Sequence, residues 1–188
     1  MIINGNFRND EGYLDWGTYG NCPLLATAPH RFACLDHGIV KLNEPLTGEI
    51  AKGFARSIDA SWCVQRNPIP VTKAMKRYLK DIPTRFWVVD FHGMRDDFGF
   101  DVCLGLGPYV NQEVANWALE IKELCRQSDI DVSINNPFPG CSSHAITRMA
   151  QERQMRAIQV ELSRAMRSKG NLCLAIFLEI MQKTCPAF

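Results

Sequence analysis

The sequence predicts an α/β domain. Short apolar runs alternate along the chain with longer stretches whose apolar residues recur every three or four positions, without internal repeats or low-complexity segments. The stock of residues also suffices for one sizeable core: 46% of the 188 residues are apolar and 22% charged, which favours a single domain over residues 1–188.

Taken in chain order, the first candidate strand is Leu24–Ala28, and the irregular stretch Arg31–Asn43 follows it. Leu46, Ile50, Phe54 and Ile58 recur every four residues directly after Glu44-Pro45, and a proline is well tolerated in a first helical turn, so a helix with one apolar face comes next. Ser61–Gln65 reads as a strand and Val71–Lys80 as a helix, then Phe86–Phe91 as a strand leading into the loop Gly93–Phe100. Asp101–Leu106 is the next strand. The clearest helix is Asn111–Gln127, where Val114, Trp117, Ala118, Ile121, Leu124 and Cys125 form a stripe suited to packing on a sheet, so Trp117 reads as core. Asp131–Asn135 and Arg156–Leu162 are strands separated by the irregular stretch Asn136–Ser143, and Leu172–Lys183 reads as a final helix. Loop-borne function belongs in the three irregular stretches.

Charge and cysteine usage narrow the partners. Lys and Arg total 21 against 20 for Asp and Glu, a net charge of +1, which gives no bulk electrostatic reason to expect a nucleic acid or an anionic membrane. Any anion must be met by a few placed residues. Eight cysteines, at 22, 34, 63, 103, 125, 141, 173 and 185, contain no Cys-x-x-Cys pair, so reduced, mostly buried thiols are the plain reading. The N-terminus lacks a basic region followed by an apolar stretch, and the longest apolar run, Leu172–Leu178, is far short of a membrane span. A cytoplasmic protein without membrane partner is expected, with a homo-oligomer left open.

Ligands of open α/β sheets collect at the carboxyl ends of strands. There the chain carries Pro29-His30, Asp90-Phe91-His92-Gly93 and Gln159-Val160-Glu161. His30, Glu44 and His92 make a mixed nitrogen and oxygen set of the kind that holds a catalytic Zn²⁺ with one position open, and Glu161 suits the general base. Two other readings stand beside this one. Cys34 lies three residues before His37 and Cys141 three before His144, the residue types of a thiol nucleophile and its base. A non-catalytic module with a carboxylate pocket is the third reading.

The order of the motifs adds a resemblance. Ala28-Pro29-His30, Asn43-Glu44-Pro45-Leu46-Thr47-Gly48, Val89-Asp90-Phe91-His92-Gly93, Asn135-Asn136-Pro137-Phe138-Pro139-Gly140, Ile146-Thr147-Arg148 and Gln159-Val160-Glu161-Leu162-Ser163-Arg164 together resemble the N-formylglutamate amidohydrolase family. Its broader relatives are zinc carboxypeptidases and poly-γ-glutamate hydrolases. The resemblance implies a three-layer α/β/α fold around a mixed sheet, as in zinc carboxypeptidases, and a zinc hydrolase acting on a small N-acyl amide or peptide-like substrate of an acidic amino acid. It makes His30, Glu44 and His92 the metal ligands and Glu161 the general base, with Asp90 either supporting His92 or capping a turn. Arg148 is the first choice for the substrate carboxylate, because a guanidinium fork matches it with two parallel hydrogen bonds. Arg66-Asn67 resembles, in reversed order, an Asn/Arg pair beside the substrate terminus. Arg95 reads as polarising the scissile carbonyl or as solvated, and His144 as a substrate or transition-state donor. The stretch Arg31–Asn43 puts thirteen residues between His30 and Glu44 and includes Asp36 and His37, which compete with Glu44 as ligands.

Overall fold

In the computed structural model, which describes residues 14–17, 21–36, 39–66 and 79–186, seven strands of the described residues form one mixed sheet. The elements are β1 (Leu14–Gly17), β2 (Leu24–Ala28), β3 (Cys34–Asp36), β4 (Ile39–Lys41), α1 (Thr47–Ser57), β5 (Ser61–Gln65), β6 (Trp87–Gly93), β7 (Val102–Gly105), α2 (Gln112–Arg126), β8 (Val132–Ile134), α3 (Ile146–Gln151), β9 (Arg156–Leu162) and α4 (Leu172–Thr184). The sheet runs β1-β5-β2-β6-β9-β7-β8, with β3 and β4 forming a separate hairpin. β5, β2, β6 and β9 are mutually parallel, and the direction reverses at β1 and again between β9 and β7.

Side chains of successive strand residues leave on opposite faces of the sheet, and here each face is covered by its own set of apolar residues. Leu24, Ala26, Val89, Phe91, Ile158 and Val160 pack with Ile50 and Phe54 of α1, Val114, Trp117 and Ile121 of α2, and Phe177 and Met181 of α4. Phe54 meets Phe91 edge-on at a centroid distance of 5.6 Å, and Trp87 meets Trp117 at 5.5 Å. Full burial of such a side chain contributes about 1.5–3 kcal/mol. The opposite face is covered by Ile146, Met149 and Ala150 of α3 with Leu79, Ile82 and Phe86, over Leu25, Cys63, Val88 and Ala157. This is the expected three-layer arrangement. Trp117 is core, and its indole N–H donates to Thr184 Oγ1 (2.9 Å).

Several boundaries and elements differ from the sequence expectation. β6 extends to Gly93, so His92 lies inside the strand. The stretch 31–43 is not wholly irregular, since it contains the β3–β4 hairpin. β7 and β8 are shorter than expected, and Gly93–Phe100 contains a 3-10 turn at Asp96–Phe98. Of the helix expected over 71–80, residues 71–78 lie outside the described residues, and Leu79 and Lys80 are helical. Asn111 and Asn171 cap α2 and α4 by accepting from the Val114 and Leu174 amides. Among the described residues, no helix is long and apolar enough to cross a membrane.

Candidate active site

The alternation that builds the two cores also builds the site. On the α3 face, β6 presents Val88, Asp90 and His92, and β9 presents Ala157, Gln159 and Glu161, so each strand starts apolar and turns polar toward its carboxyl end. Register then sets the neighbours. Asp90 lies opposite Gln159 and His92 opposite Glu161, with Thr27 of β2 beside Asp90 and Cys103 of β7 beside Glu161.

Asp90 is fully buried, and both of its oxygens are used: Oδ1 accepts from Thr27 Oγ1 (2.6 Å) and Oδ2 lies 2.9 Å from His92 Nε2. The second ring nitrogen of His92, Nδ1, lies 3.4 Å from Glu44 Oε2. Glu44 comes from the loop before α1. Its amide donates to the His30 carbonyl (2.9 Å), its own carbonyl accepts from Thr47 Oγ1 (2.7 Å), and its Oε2 accepts from the Gly93 amide (3.0 Å). The His30 ring is tilted toward His92 at a centroid separation of 5.1 Å. Gln159 Nε2 donates to Glu161 Oε1 (2.6 Å).

Electrostatics follow from burial among carboxylates. Burial disfavours a charged His92, but Asp90 and Glu44 on its two sides outweigh this and hold its pKa well above the ordinary histidine value. Burial likewise pushes Glu161 up, to about 7. The neighbouring Glu44 and Asp90 add to the rise, while His92 and the Gln159 hydrogen bond oppose it.

These groups open onto a cavity of about 320 Å³, in the range that holds small ligands. Pro29, His30, Glu44, His92, Gln159 and Glu161 form its floor, and the 137–146 segment forms its wall, with Phe138, Cys141, Ser142 and His144 among the lining. The structure thus brings five of the sequence-selected residues together: His30, Glu44, His92, Glu161 and His144. Asp90 adjoins them behind His92 and Cys141 lies on the wall, whereas the selected arginines lie elsewhere. Arg148 sits behind the wall, where its Nε donates to Glu152 Oε1 (3.0 Å) and its Nη1 to the Cys141 carbonyl (3.1 Å). Arg95 is exposed, pairs with Asp97 and lies over the Phe98 ring. Arg66 is exposed at the end of β5 and does not line the cavity. Asn67 and His37 lie outside the described residues, and Asp36 is the last residue of β3.

Sequence reasoning missed roles for Thr27, Gln159 and Arg167. The first two follow from period-two alternation, which puts 159 on the face of 161. Arg167 is buried against backbone carbonyls, which leave no trace in the sequence. Several of the described thiols are buried. Burial pushes Cys22 and Cys125 up to about 12 and raises Cys63 and Cys103, and Cys141 Sγ contacts the Pro139 carbonyl oxygen (3.6 Å).

Among the described residues, no group of three or more His, Cys, Asp or Glu side chains stands close enough together to hold a metal ion as placed. Two pairwise separations are nonetheless compatible with a shared ion. Two ligands of a tetrahedral Zn²⁺ at about 2.0–2.1 Å lie roughly 3.3–3.4 Å apart, which is the separation of His92 Nδ1 and Glu44 Oε2. An imidazole centroid lies about 3.2 Å from an ion bound through nitrogen, so two such rings sit at most about 6.4 Å apart, and His30 and His92 are at 5.1 Å. Asp90 occupies the other nitrogen of His92, as the acceptor behind a metal-bound imidazole does. A cation between Nδ1 and Glu44 would take the place of the second imidazole proton that these two carboxylates otherwise favour.

No protein-family model matches the sequence, and no curated protein matches it in sequence. Solved structures do match in fold. A bacteriophage poly-γ-glutamate hydrolase is 14% identical, with a TM-score of 0.60 over 92% of this chain and 87% of that one. The N-formylglutamate amidohydrolase of Ralstonia eutropha JMP134 is 10% identical, with a TM-score of 0.60 over 92% and 95%. A gene product of Agrobacterium tumefaciens is 11% identical, with a TM-score of 0.65 over 92% and 94%. The chain therefore has the α/β fold found in these proteins, along nearly its whole length.

Proposed function

We propose that this chain is a zinc-dependent amidohydrolase that cleaves an N-acyl amide of glutamate or a similar acidic amino acid. The observation that carries the reading is the line Asp90–His92–Glu44 beside Glu161. It is a histidine fixed at one nitrogen by a buried carboxylate, 3.4 Å at the other from a second carboxylate, and next in register to a glutamate whose pKa lies near 7. His30, Glu44 and His92 would hold the ion. When bound, Zn²⁺ supplies Lewis acidity at the amide carbonyl and lowers the pKa of a water molecule toward neutrality.

The chain's own residues supply the remaining parts. Glu161 takes a proton from the attacking water and delivers it to the leaving amine. Gln159 fixes the orientation of that carboxylate through Oε1. His144, on the cavity wall, is placed to donate to the substrate. Arg148, bonded to the Cys141 carbonyl, backs the same wall with positive charge, and release from the surface pair with Glu152 would free its fork for a substrate carboxylate. Two fold neighbours carry glutamate amides in their names, which supports an acidic amide substrate.

A zinc carboxypeptidase-like or γ-glutamyl peptidase is the second reading. It is favoured by the apolar part of the wall, Pro137, Phe138 and Pro139, against which a longer peptide-like substrate would rest. Elemental analysis of the purified protein, followed by assay of N-formyl, N-acetyl and γ-glutamyl amides with stoichiometric zinc, tests both. Stoichiometric zinc with turnover of N-acylglutamates, abolished in Glu161→Gln, is the expected result. A protein without metal affinity, or undiminished turnover in Glu161→Gln, would overturn the proposal.

A further inference from the structure

Arg167 lies in the turn after β9 and is buried, yet its hydrogen bonds run to backbone carbonyls. Its Nε donates to the Leu162 carbonyl (3.1 Å), Nη1 to that of Pro45 (2.7 Å) and Nη2 to that of Met94 (3.2 Å). These acceptors belong to three separate segments: one residue beyond Glu161, one beyond Glu44 and two beyond His92. A planar guanidinium can satisfy three such acceptors at once, whereas a lysine ammonium is a point donor.

Two further observations tie this fork to Glu44. A Cβ on Gly93 would lie 2.5 Å from the Arg167 Cζ atom, so glycine is what lets the guanidinium rest against the end of β6. The Gly93 amide in turn donates to Glu44 Oε2, so this peptide is gripped between Arg167 and Glu44. Leu46, next to the carbonyl that Arg167 holds, has a φ of 69°, a conformation a leucine keeps only when its surroundings fix it. Burial works against the Arg167 charge, and Glu44 and Glu161 offset it only in part.

We infer that Arg167 is a positioning residue for the metal centre, holding loop-borne Glu44 at its working distance from strand-borne His92. The inference rests on the amidohydrolase reading above. It is tested in the full chain with Arg167→Lys, Arg167→Met and Gly93→Ala, using Zn²⁺ binding by chelator competition, kcat and KM, the thermal midpoint, and amide exchange at Gly93 in the zinc-free protein. Supporting residues of metal sites typically account for about 10–100-fold in affinity, and that loss of Zn²⁺ affinity is expected in all three variants. Gly93 exchange should be about tenfold faster or more, and kcat should fall while KM stays within about twofold. Arg167→Lys should fold and melt close to the native protein without recovering Zn²⁺ affinity. Native Zn²⁺ affinity with native Gly93 protection in the folded Lys variant would overturn the inference. A native protein that binds no Zn²⁺ would instead sink the amidohydrolase reading, and Gly93 exchange would still decide whether Arg167 holds the Glu44 peptide contact.

Discussion

Asp90 meets His92 at the ring nitrogen that faces away from Glu44: Oδ2 is 2.9 Å from Nε2, while Nδ1 faces Glu44 at 3.4 Å. The contact fixes both the ring plane and the tautomer, since a neutral His92 that donates Nε2–H to Asp90 keeps its lone pair on Nδ1.

Removing Asp90 should therefore damage the site more than the fold. Asp90→Ala leaves the Thr27 hydroxyl and His92 Nε2 buried without their acceptor, a loss of about 1–3 kcal/mol. Zn²⁺ affinity should fall about 10–100-fold. Urea unfolding and chelator competition on the same sample measure the two effects.

Glu161 makes the stability of the folded protein depend on pH. Its carboxyl is raised from 4.5 to about 7 in the folded protein, so between these values the native state binds the proton that the unfolded state has lost. The stabilisation is complete below about pH 4.5 and is lost as pH rises through about 7. At 1.36 kcal/mol per unit the difference is on the order of 3 kcal/mol. With EDTA present, Glu161→Gln should remove this slope and be more stable than the native protein at pH 8, while losing about 10²-fold or more in kcat with zinc. Chemical unfolding at pH 5 and pH 8 reads the first effect, and steady-state kinetics the second.

Gly105 separates the wall of the cavity from its floor. A Cβ there would lie 2.5 Å from the Phe138 carbonyl oxygen and 3.0 Å from the Gly140 amide nitrogen, both backbone atoms of the loop that lines the cavity. Gly105→Ala should push that loop outward, raising KM severalfold with Zn²⁺ affinity unchanged. Kinetics and chelator competition on one variant distinguish the two halves of the site.

The thiols should divide by burial. Cys22, Cys63, Cys103 and Cys125 are buried with raised pKa values, whereas Cys141 and Cys173 are partly exposed. Iodoacetamide at pH 8 followed by peptide mass mapping should modify the latter two and spare the former four until urea is added. Cys141→Ser should retain turnover, which a cysteine nucleophile would not allow.

The sequence was most legible where apolar runs had polar flanks. Leu24–Ala28, Ser61–Gln65 and Arg156–Leu162 are strands with those very bounds. Leu14–Gly17 escaped notice because an edge strand with one neighbour needs only one pairing edge, and Leu-Asp-Trp-Gly has no apolar run. The six residues of α3 are too few to display a helical period. At the site, histidines and carboxylates at strand ends were visible as residue types, and the structure gathers His30, Glu44, His92, Glu161 and His144 around one cavity. The arginines were harder to place. A surface guanidinium and one buried against carbonyls look alike in one dimension, so Arg148 was selected and Arg167 was not.

The strict alternation along β9 has a consequence for how this chain can change. Ile158, Val160 and Leu162 serve one core, while Gln159 and Glu161 serve the cavity. Inserting or deleting a single residue upstream within that strand would exchange the two sets, sending two polar groups into the core and three aliphatic ones toward the cavity. Length variation is thus confined to connections such as 31–43 and 136–143. The shape of the cavity wall can change there by lengthening or shortening loops while the strand keeps its fixed two-letter beat.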